Sequence, residues 1–170
     1  MIMTRPESTE YAPYFERYIS LVPAGDLLAT LAVQPVAELI EGLSEERADF
    51  RYADGKWSVK EVLGHIIDTE RIMAYRALRV GRNDATGLPG FEQDPYVEFG
   101  GFGARTLEDL VGEFRVVRAA TLCLLRGMPA EAWARAGRAD GKAVTARALA
   151  WLIAGHELYH ARIYRERYGL

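Results

Sequence analysis

The sequence predicts an all-α protein that folds as a four-helix bundle. Four long segments carry apolar residues at helical spacing, and several of them begin at a capping residue or end at a glycine. No segment shows a convincing strand pattern. The length of 170 residues suits one domain with a sizeable core. These observations together predict a single bundle domain over residues 1–170.

The N-terminal part predicts an arm followed by the first helix. Residues 1–23 are rich in proline and aromatic residues, and the first eight of them are expected to be mobile. The arm contains a potential short helix that would pack on the main body through Tyr14, Phe15, Tyr18 and Ile19. The first long helix is predicted over 27–41, with Asp26 as its N-cap. Pro35 lies inside it and predicts a kink or a break.

The second helix has the clearest start signal in the chain. Ser58 and Glu61 form a capping box, and Trp57 can pack on Val62 as a hydrophobic staple. The capping role of Glu61 is favoured over a role beside a metal ligand. This helix is predicted over 59–80.

A long connection follows, and two further helices complete the bundle. The 24 residues of 82–105 contain five glycines and two prolines, and their aromatic content favours an ordered functional loop. The third helix is predicted from Thr106 to Gly127 and a short helix from Pro129 through Trp133. A turn is predicted over 136–144, before a last helix over 146–168.

Composition excludes several classes of protein. The net charge of −3 argues against non-specific binding of nucleic acid. Cys123 is the single cysteine, so no intrachain disulfide is possible. No apolar run approaches a membrane span, and nothing resembles a signal peptide. These features predict a cytoplasmic protein.

Histidine positions point to a metal site. His156 and His160 lie four residues apart, which on a helix places both imidazoles within reach of one ion. His65, the remaining histidine, lies at the edge of the apolar face of the second helix. Because an unpaired imidazole nitrogen on a core-facing position is costly, we predict that the three share a divalent metal.

The segment 156–160 also reads H-E-x-x-H, the helix of zinc proteases, in which Glu157 would be the general base. The metzincin continuation would place glycine at position 163 and histidine at position 166, where this chain has Ile163 and Glu166. Only ten residues follow His160, so the more distant downstream glutamate of the other large class is not available. The protease interpretation is therefore disfavoured.

Two motifs resemble the DinB-like superfamily: W-S-x-x-E-x-x-x-H over 57–65, and G-H-E-x-x-H over 155–160. The resemblance extends over almost the whole chain. It implies a bundle of up-down-down-up order, often a homodimer, with zinc or nickel bound by His65, His156 and His160. Many relatives follow the last histidine with Gly-Gln, where this chain has Ala161 and Arg162.

Six other side chains are weaker candidates. Asp68, one turn after His65, is a potential base or imidazole partner, and equally a solvated helix residue. Glu157 has the base position of zinc proteases but points away from the two histidines, which favours a salt bridge. Arg76 and Arg118 are candidate contacts for an anionic substrate, although a surface role is favoured for both. In the long loop, Asp94 and Tyr96 are expected to cover a pocket.

The resemblance implies two kinds of enzyme. Similar proteins include thiol S-transferases that use bacillithiol or mycothiol, and metal-dependent hydrolases. A thiol with a pKa of about 8.5 can be ionised by the charge of a metal alone, whereas hydrolysis also needs a base. The sequence therefore favours a thiol S-transferase-like enzyme acting on small electrophiles. A hydrolase and a non-catalytic metal-binding stress-response protein are the alternatives.

Overall fold

The computed structural model describes residues 4–170, and α-helices make up most of them. The helices are α1 Glu16–Ile19, α2 Leu27–Val33, α3 Pro35–Ile40, α4 Glu45–Ala48, α5 Val59–Gly81, α6 Gln93–Phe99, α7 Leu107–Arg126 and α8 Ala146–Ile163. Single 3₁₀ turns occupy Ser8–Glu10, Pro13–Phe15, Phe102–Ala104 and Ala130–Ala132, and a π-helical turn over Tyr164–Tyr168 continues α8. No helix within 4–170 has the length and apolar character needed to cross a bilayer.

The four-helix bundle consists of α2–α3, α5, α7 and α8, in the predicted up-down-down-up order. Glu45 accepts a hydrogen bond from the Leu107 amide at 2.9 Å and pairs with Lys60 Nζ at 2.7 Å, so α5 and α7 begin side by side and run parallel. The Tyr164 hydroxyl donates to the Val59 carbonyl at 2.8 Å, which places the end of α8 at the start of α5. Therefore α8 is antiparallel to α5.

The first helix of the bundle is broken at the predicted proline. Asp26 caps α2 by accepting from the Leu28 amide at 2.9 Å. Gln34 then adopts φ 53° and ψ 57°, in the left-handed region, and α3 starts at Pro35. The proline ring disfavours a right-handed helical conformation at the preceding residue, so the chain turns at Gln34 before the helix resumes.

A β-hairpin corrects two sequence-based predictions, the absence of strands and a simple turn over 136–144. Strand β1 covers Ala136–Ala139 and pairs antiparallel with β2 over Lys142–Thr145. Asp140 and Gly141 connect them with φ of 51° and 70°, as in a type I′ turn. The strands escape prediction because they are short and consist largely of Ala, Gly and Lys, which have low strand propensity.

The hairpin orders the long loop. The Leu88 amide donates to the Arg138 carbonyl, and the Asp140 amide donates to the Leu88 carbonyl, both at 2.9 Å. At Leu88 the loop therefore pairs with β1 of the hairpin, like one residue of a third strand. It then forms α6. The region predicted as an ordered loop is ordered, but it contains α6 and a 3₁₀ turn. Its many glycines and prolines are unfavourable in helices, so the sequence did not predict them.

The last helix is α-helical only to Ile163, not to residue 168 as predicted. The π-helical turn follows, and Gly169 ends it with φ 68°. Within this turn the Tyr168 hydroxyl donates to the Trp57 carbonyl at 2.6 Å. The turn therefore attaches the C-terminus to the beginning of α5.

Two apolar clusters form the core, with a polar layer between them. In α5 the buried apolar residues between positions 59 and 67 belong to one cluster, and those between 73 and 80 belong to the other. The buried residues Glu70 of α5, Arg118 of α7 and Glu157 of α8 lie where the helices change from one cluster to the other. The buried charges of the bundle are therefore concentrated near its middle.

The N-terminal arm packs on α8 through the predicted aromatic segment. Ile19 of α1 is fully buried, and Arg5 donates to the Val22 carbonyl at 2.6 Å. Part of the segment expected to be mobile, residues 1–3, lies outside the described residues. Gly155 permits the contact with α8, because a Cβ there would lie 2.3 Å from the Tyr18 carbonyl oxygen.

We expect Gly155→Ala to destabilise the protein by about 1–3 kcal/mol, because the added methyl group meets backbone atoms that cannot move independently of the arm. Urea unfolding followed by circular dichroism measures the change. Gly112→Ala in α7 is the matched control, since nothing lies within 4 Å of a Cβ there. It should raise the unfolding free energy by up to about 1 kcal/mol through helix propensity. Equal effects of the two substitutions would contradict the proposed close approach.

Candidate metal centre

The antiparallel packing of α5 and α8 brings the three histidines together. The Nε2 atom of His156 lies 3.0 Å from that of His65 and 3.2 Å from that of His160. One nitrogen from each of the three rings lies within 4.8 Å of the others. All three side chains are nearly buried, with exposed fractions of 5%, 9% and 9% for His65, His156 and His160.

Aromatic neighbours hold the rings in this arrangement. The Trp57 ring, next to the N-cap of α5, lies 5.0 Å from the His65 ring. Tyr18 of the arm packs edge-on against His156 with ring centres 5.5 Å apart. Local capping at Ser58 and the close approach of α1 to α8 therefore both orient the imidazoles.

Burial keeps the imidazoles neutral. Loss of solvent lowers the pKa of His65 to about 4, although the negative charge of Asp94 opposes this shift. Burial, aided by the neighbouring imidazoles, lowers the pKa of His160 to about 3 and that of His156 well below its ordinary value. At neutral pH the cluster therefore offers nitrogen lone pairs, as metal binding requires.

The donor set fits a divalent ion. Four-coordinate zinc with Zn–N bonds of 2.0–2.1 Å places its ligand nitrogens about 3.3 Å apart, close to the two separations measured here. Three converging lone pairs also repel one another unless a cation or shared protons lie between them. Imidazole ligands suit zinc, nickel and other divalent metals, so the donor set is compatible with either predicted metal.

A cavity of about 410 Å³ opens onto this cluster. Its apolar wall comes from five segments of the chain and includes Phe15, Tyr18, Met73, Phe91 and Leu152. Its polar wall includes His65, His156, Thr69, Arg76, Glu92, Asp94, Asp140 and Lys142. The imidazoles therefore face a space large enough for a small molecule.

The two loop residues predicted to cover the pocket have different positions. Asp94 lines the cavity and lies close enough to His65 to influence its pKa. Tyr96 does not line it, and instead packs against Phe91 with ring centres 5.4 Å apart. Of these two aromatic residues, Phe91 therefore lines the cavity and Tyr96 does not.

The structure does not bring the two predicted catalytic carboxylates to the cavity. Asp68 lies 3.7 Å from Arg71 on the outer side of α5, and burial raises its pKa. Glu157 accepts hydrogen bonds from Arg118 at 2.7 Å and from the Val36 amide at 3.2 Å. A salt bridge was favoured for Glu157, and the structure shows one. Glu61 caps α5, as expected, and it also pairs with Arg51.

The surface position favoured for Arg118 is wrong, and so is its role as an anion contact in the cavity. Its side chain is fully buried and bonded to Glu70, Glu157 and the Leu31 carbonyl. Apolar spacing along α7 could not reveal this, because the partners come from three other helices. Arg76, also predicted to be at the surface, is 5% exposed and lines the cavity.

Sequence reasoning missed several polar residues of the cavity, among them Lys142 and Thr69. Lys142 belongs to the unpredicted hairpin, so no sequence pattern indicated it. Thr69 lies one turn after His65 on the same face of α5, and this spacing was the available signal. Its hydroxyl oxygen is buried and has no hydrogen-bond partner among the described residues.

We expect that chelation of the metal leaves the bundle folded, because the two apolar clusters supply the core without it. Circular dichroism before and after treatment with a chelator tests this. Loss of most of the helical signal would instead place the protein with small zinc domains that unfold without metal.

Comparison with known proteins agrees with this architecture. No curated protein matches the chain. A solved structure, YfiT from Bacillus subtilis, superposes with a TM-score of 0.69 at 16% identity, covering 96% of this chain and 93% of that one. It is described as a probable metal-dependent hydrolase with an unusual four-helix bundle topology. At this identity the likeness establishes the fold. The sequence profile of the DinB superfamily matches residues 30–163. The chain therefore belongs to the DinB superfamily.

Proposed function

We propose that the protein is a metal-dependent thiol S-transferase-like enzyme that acts on small electrophiles. The observation that carries this proposal is the cavity of about 410 Å³ at His65 and His156. A structural metal site is closed by a fourth protein ligand, whereas the three imidazoles are joined by no other histidine, cysteine or carboxylate among residues 4–170. An open position beside a cavity favours catalysis.

A zinc or nickel ion bound there would supply positive charge that lowers the pKa of a thiol or a water molecule in the cavity. The protein's own part is to hold three neutral imidazoles in one geometry and to surround the reacting groups with Phe15, Phe91 and Leu152. On its own side, this apolar wall reduces the contact of the reacting groups with water, which strengthens electrostatic interactions there.

The choice of a thiol depends on where the carboxylates lie. Neither Asp68 nor Glu157 lines the cavity, so neither predicted base can take a proton from a water molecule beside the imidazoles. A thiol ionises more readily than water and needs no such base. The sulfur of a low-molecular-weight thiol such as bacillithiol or mycothiol, having lost its proton to solvent, would then form a C–S bond with the electrophile. The leaving group, such as bromide, would depart with the electrons of the broken bond.

Hydrolysis is the second candidate, and one residue favours it. Asp94 lines the cavity, and its charge acts on His65. Its carboxylate is therefore available as a general base for a water molecule in the cavity. The description of YfiT as a probable metal-dependent hydrolase is in line with this alternative.

One set of assays separates the candidates. The metal-loaded and metal-stripped proteins are incubated with bacillithiol, mycothiol or glutathione and monobromobimane, and in parallel with ester and amide substrates. We expect metal-dependent thiol conjugation that persists in Asp94→Asn. Metal-dependent hydrolysis that Asp94→Asn abolishes, without thiol conjugation, would assign the hydrolase. Absence of both activities would favour a non-catalytic metal-binding protein.

The proposed assembly is a homodimer, an expectation that comes from the family. Light scattering coupled to size-exclusion chromatography tests it, and a mass of one chain at micromolar concentration would contradict it.

A further inference from the structure

Arg76 is a buried cation that has no anionic partner among residues 4–170. Only 5% of the residue is exposed, and its Nη2 atom donates to the Pro89 carbonyl at 2.6 Å. In the part of the chain that the structure describes, no carboxylate lies within 4 Å of its guanidinium. Arg79, one turn along the same helix, forms an ion pair with Asp84. Because burying an unpaired charge is costly, the position of Arg76 requires an explanation beyond packing.

The other charged groups nearby do not neutralise it. Asp140 is the carboxylate whose charge acts on Arg76, but it pairs with Lys142 at 3.3 Å. Asp94 also lines the cavity, but among the described residues no contact within 4 Å joins its carboxylate to the guanidinium. The guanidinium thus retains N–H donors for a group that enters the cavity.

A second polar group on the same face of α5 also lacks a partner. Thr69 is 5% exposed and lines the cavity, and its Oγ1 atom makes no hydrogen bond within residues 4–170. His65, Thr69 and Arg76 follow one another at intervals of four and seven residues, so they form one polar row along the cavity. Buried polar atoms are almost always bonded, which indicates a ligand with polar groups along this row.

We propose that the end of the cavity at Arg76 binds the carboxylate of an elongated small molecule whose other end reaches the imidazole cluster. The identity of that reactive end rests on the proposed function, whereas the carboxylate subsite does not. A carboxylate matches the planar fork of the guanidinium. A phosphate dianion is disfavoured, because Asp140 and Asp94 line the same cavity.

The geometry also limits the length of this molecule. Arg76 lies eleven positions after His65 on α5, a rise of about 16 Å. Side chains on a helix lean towards its N-terminus, and the arginine side chain is longer than that of histidine. The distance between the guanidinium and the imidazole of His65 is therefore shorter than the rise along the helix. Met73 and Leu152 line the cavity along this path and would contact an apolar middle section. A chain of about eight carbon atoms is an appropriate first probe.

Isothermal titration calorimetry with metal-loaded protein tests the subsite using 8-mercaptooctanoate and its neutral analogue 8-mercaptooctanol. The unsubstituted protein should bind the carboxylate about 10- to 100-fold more tightly, the range of a charge-assisted hydrogen-bonded pair. Arg76→Gln should remove this preference and leave the affinity for the alcohol unchanged, and Arg76→Lys should restore part of it. Arg79→Gln, the matched control, should keep the full preference because Arg79 does not line the cavity.

Equal affinity of the unsubstituted protein for the two probes would overturn the subsite, and that measurement needs no variant to fold. A preference that survives in Arg76→Gln would overturn the assignment to Arg76. Octanoate, which has no thiol, separates this proposal from the proposed function. Arg76-dependent binding of octanoate without any metal-dependent gain from the thiol would support the subsite and count against thiol chemistry. Failure of octanoate and of both thiols to bind would overturn the subsite as well.

Discussion

His65→Ala is expected to abolish stoichiometric binding of zinc or nickel. The substitution removes the only α5 nitrogen from a cluster whose two other donors both come from α8, with the His65 and His156 Nε2 atoms 3.0 Å apart in the intact site. Two imidazoles one helical turn apart retain some affinity, but a third ligand from another element is needed for a stable four-coordinate site. His156→Ala and His160→Ala should have the same effect.

Metal content is measured by elemental analysis after dialysis, with circular dichroism to confirm that each variant is folded. Thr69→Val is the matched control, because it alters the same face of α5 one turn away and the Thr69 hydroxyl makes no hydrogen bond to the described residues that would be lost. It should bind metal with unchanged stoichiometry. Full metal content in His65→Ala would refute a site shared between α5 and α8, and would restore the zinc-protease interpretation of His156 and His160.

Arg118→Met is expected to lower the unfolding free energy by about 3–5 kcal/mol, the largest effect on stability that we anticipate. Arg118 donates to Glu70 at 2.8 and 2.9 Å, to Glu157 at 2.7 Å and to the Leu31 carbonyl at 2.6 Å. The substitution leaves two carboxylates buried without a cation. Burial already raises the pKa of Glu157 despite the arginine beside it. In the variant this carboxylate can therefore take up a proton, which reduces the loss of stability but does not abolish it.

Urea unfolding measures this change, with Arg115→Met as the control on the same helix. Arg115 pairs with Glu41 at the surface, where solvent screens the interaction, so its replacement should have little effect. Adding Glu70→Gln and Glu157→Gln to Arg118→Met should recover part of the lost stability by removing the unpaired charges. If both arginine variants lose the same small amount of unfolding free energy, the ion pairs of Arg118 do not stabilise the buried polar layer.

The position of Glu157 connects this layer with the metal centre. It follows His156 directly on α8, and its carboxylate is held by Arg118 of α7 and by the Val36 amide at the start of α3. These contacts set the rotation of α8 about its axis, and therefore the direction in which His156 and His160 point. The glutamate of the H-E-x-x-H pattern thus has a structural position in the bundle instead of a place in the cavity.

Local signals determined the helices of this protein. The capping box at Ser58, the N-caps Asp26 and Thr106, and the break at Pro35 all act through atoms within four residues of one another, so the sequence predicted them at nearly their observed positions. The i,i+4 spacing of His156 and His160 is likewise a property of one helix. The sequence by itself therefore determined the bundle and the three residues that meet at the candidate site.

Only the tertiary structure decided what surrounds those residues. The hairpin depends on pairing between short strands of low propensity, and the loop is ordered by hydrogen bonds of Leu88 to that hairpin. The pairing of Arg118 with Glu70 and Glu157 joins positions 48 and 39 residues apart. Contacts between residues so far apart in the chain produce no periodic pattern in the sequence. Within its own helix, each of these charged residues fits equally well at a solvent-exposed position. For this reason the burial of Arg76 and the polar row along the cavity became visible only in the folded protein.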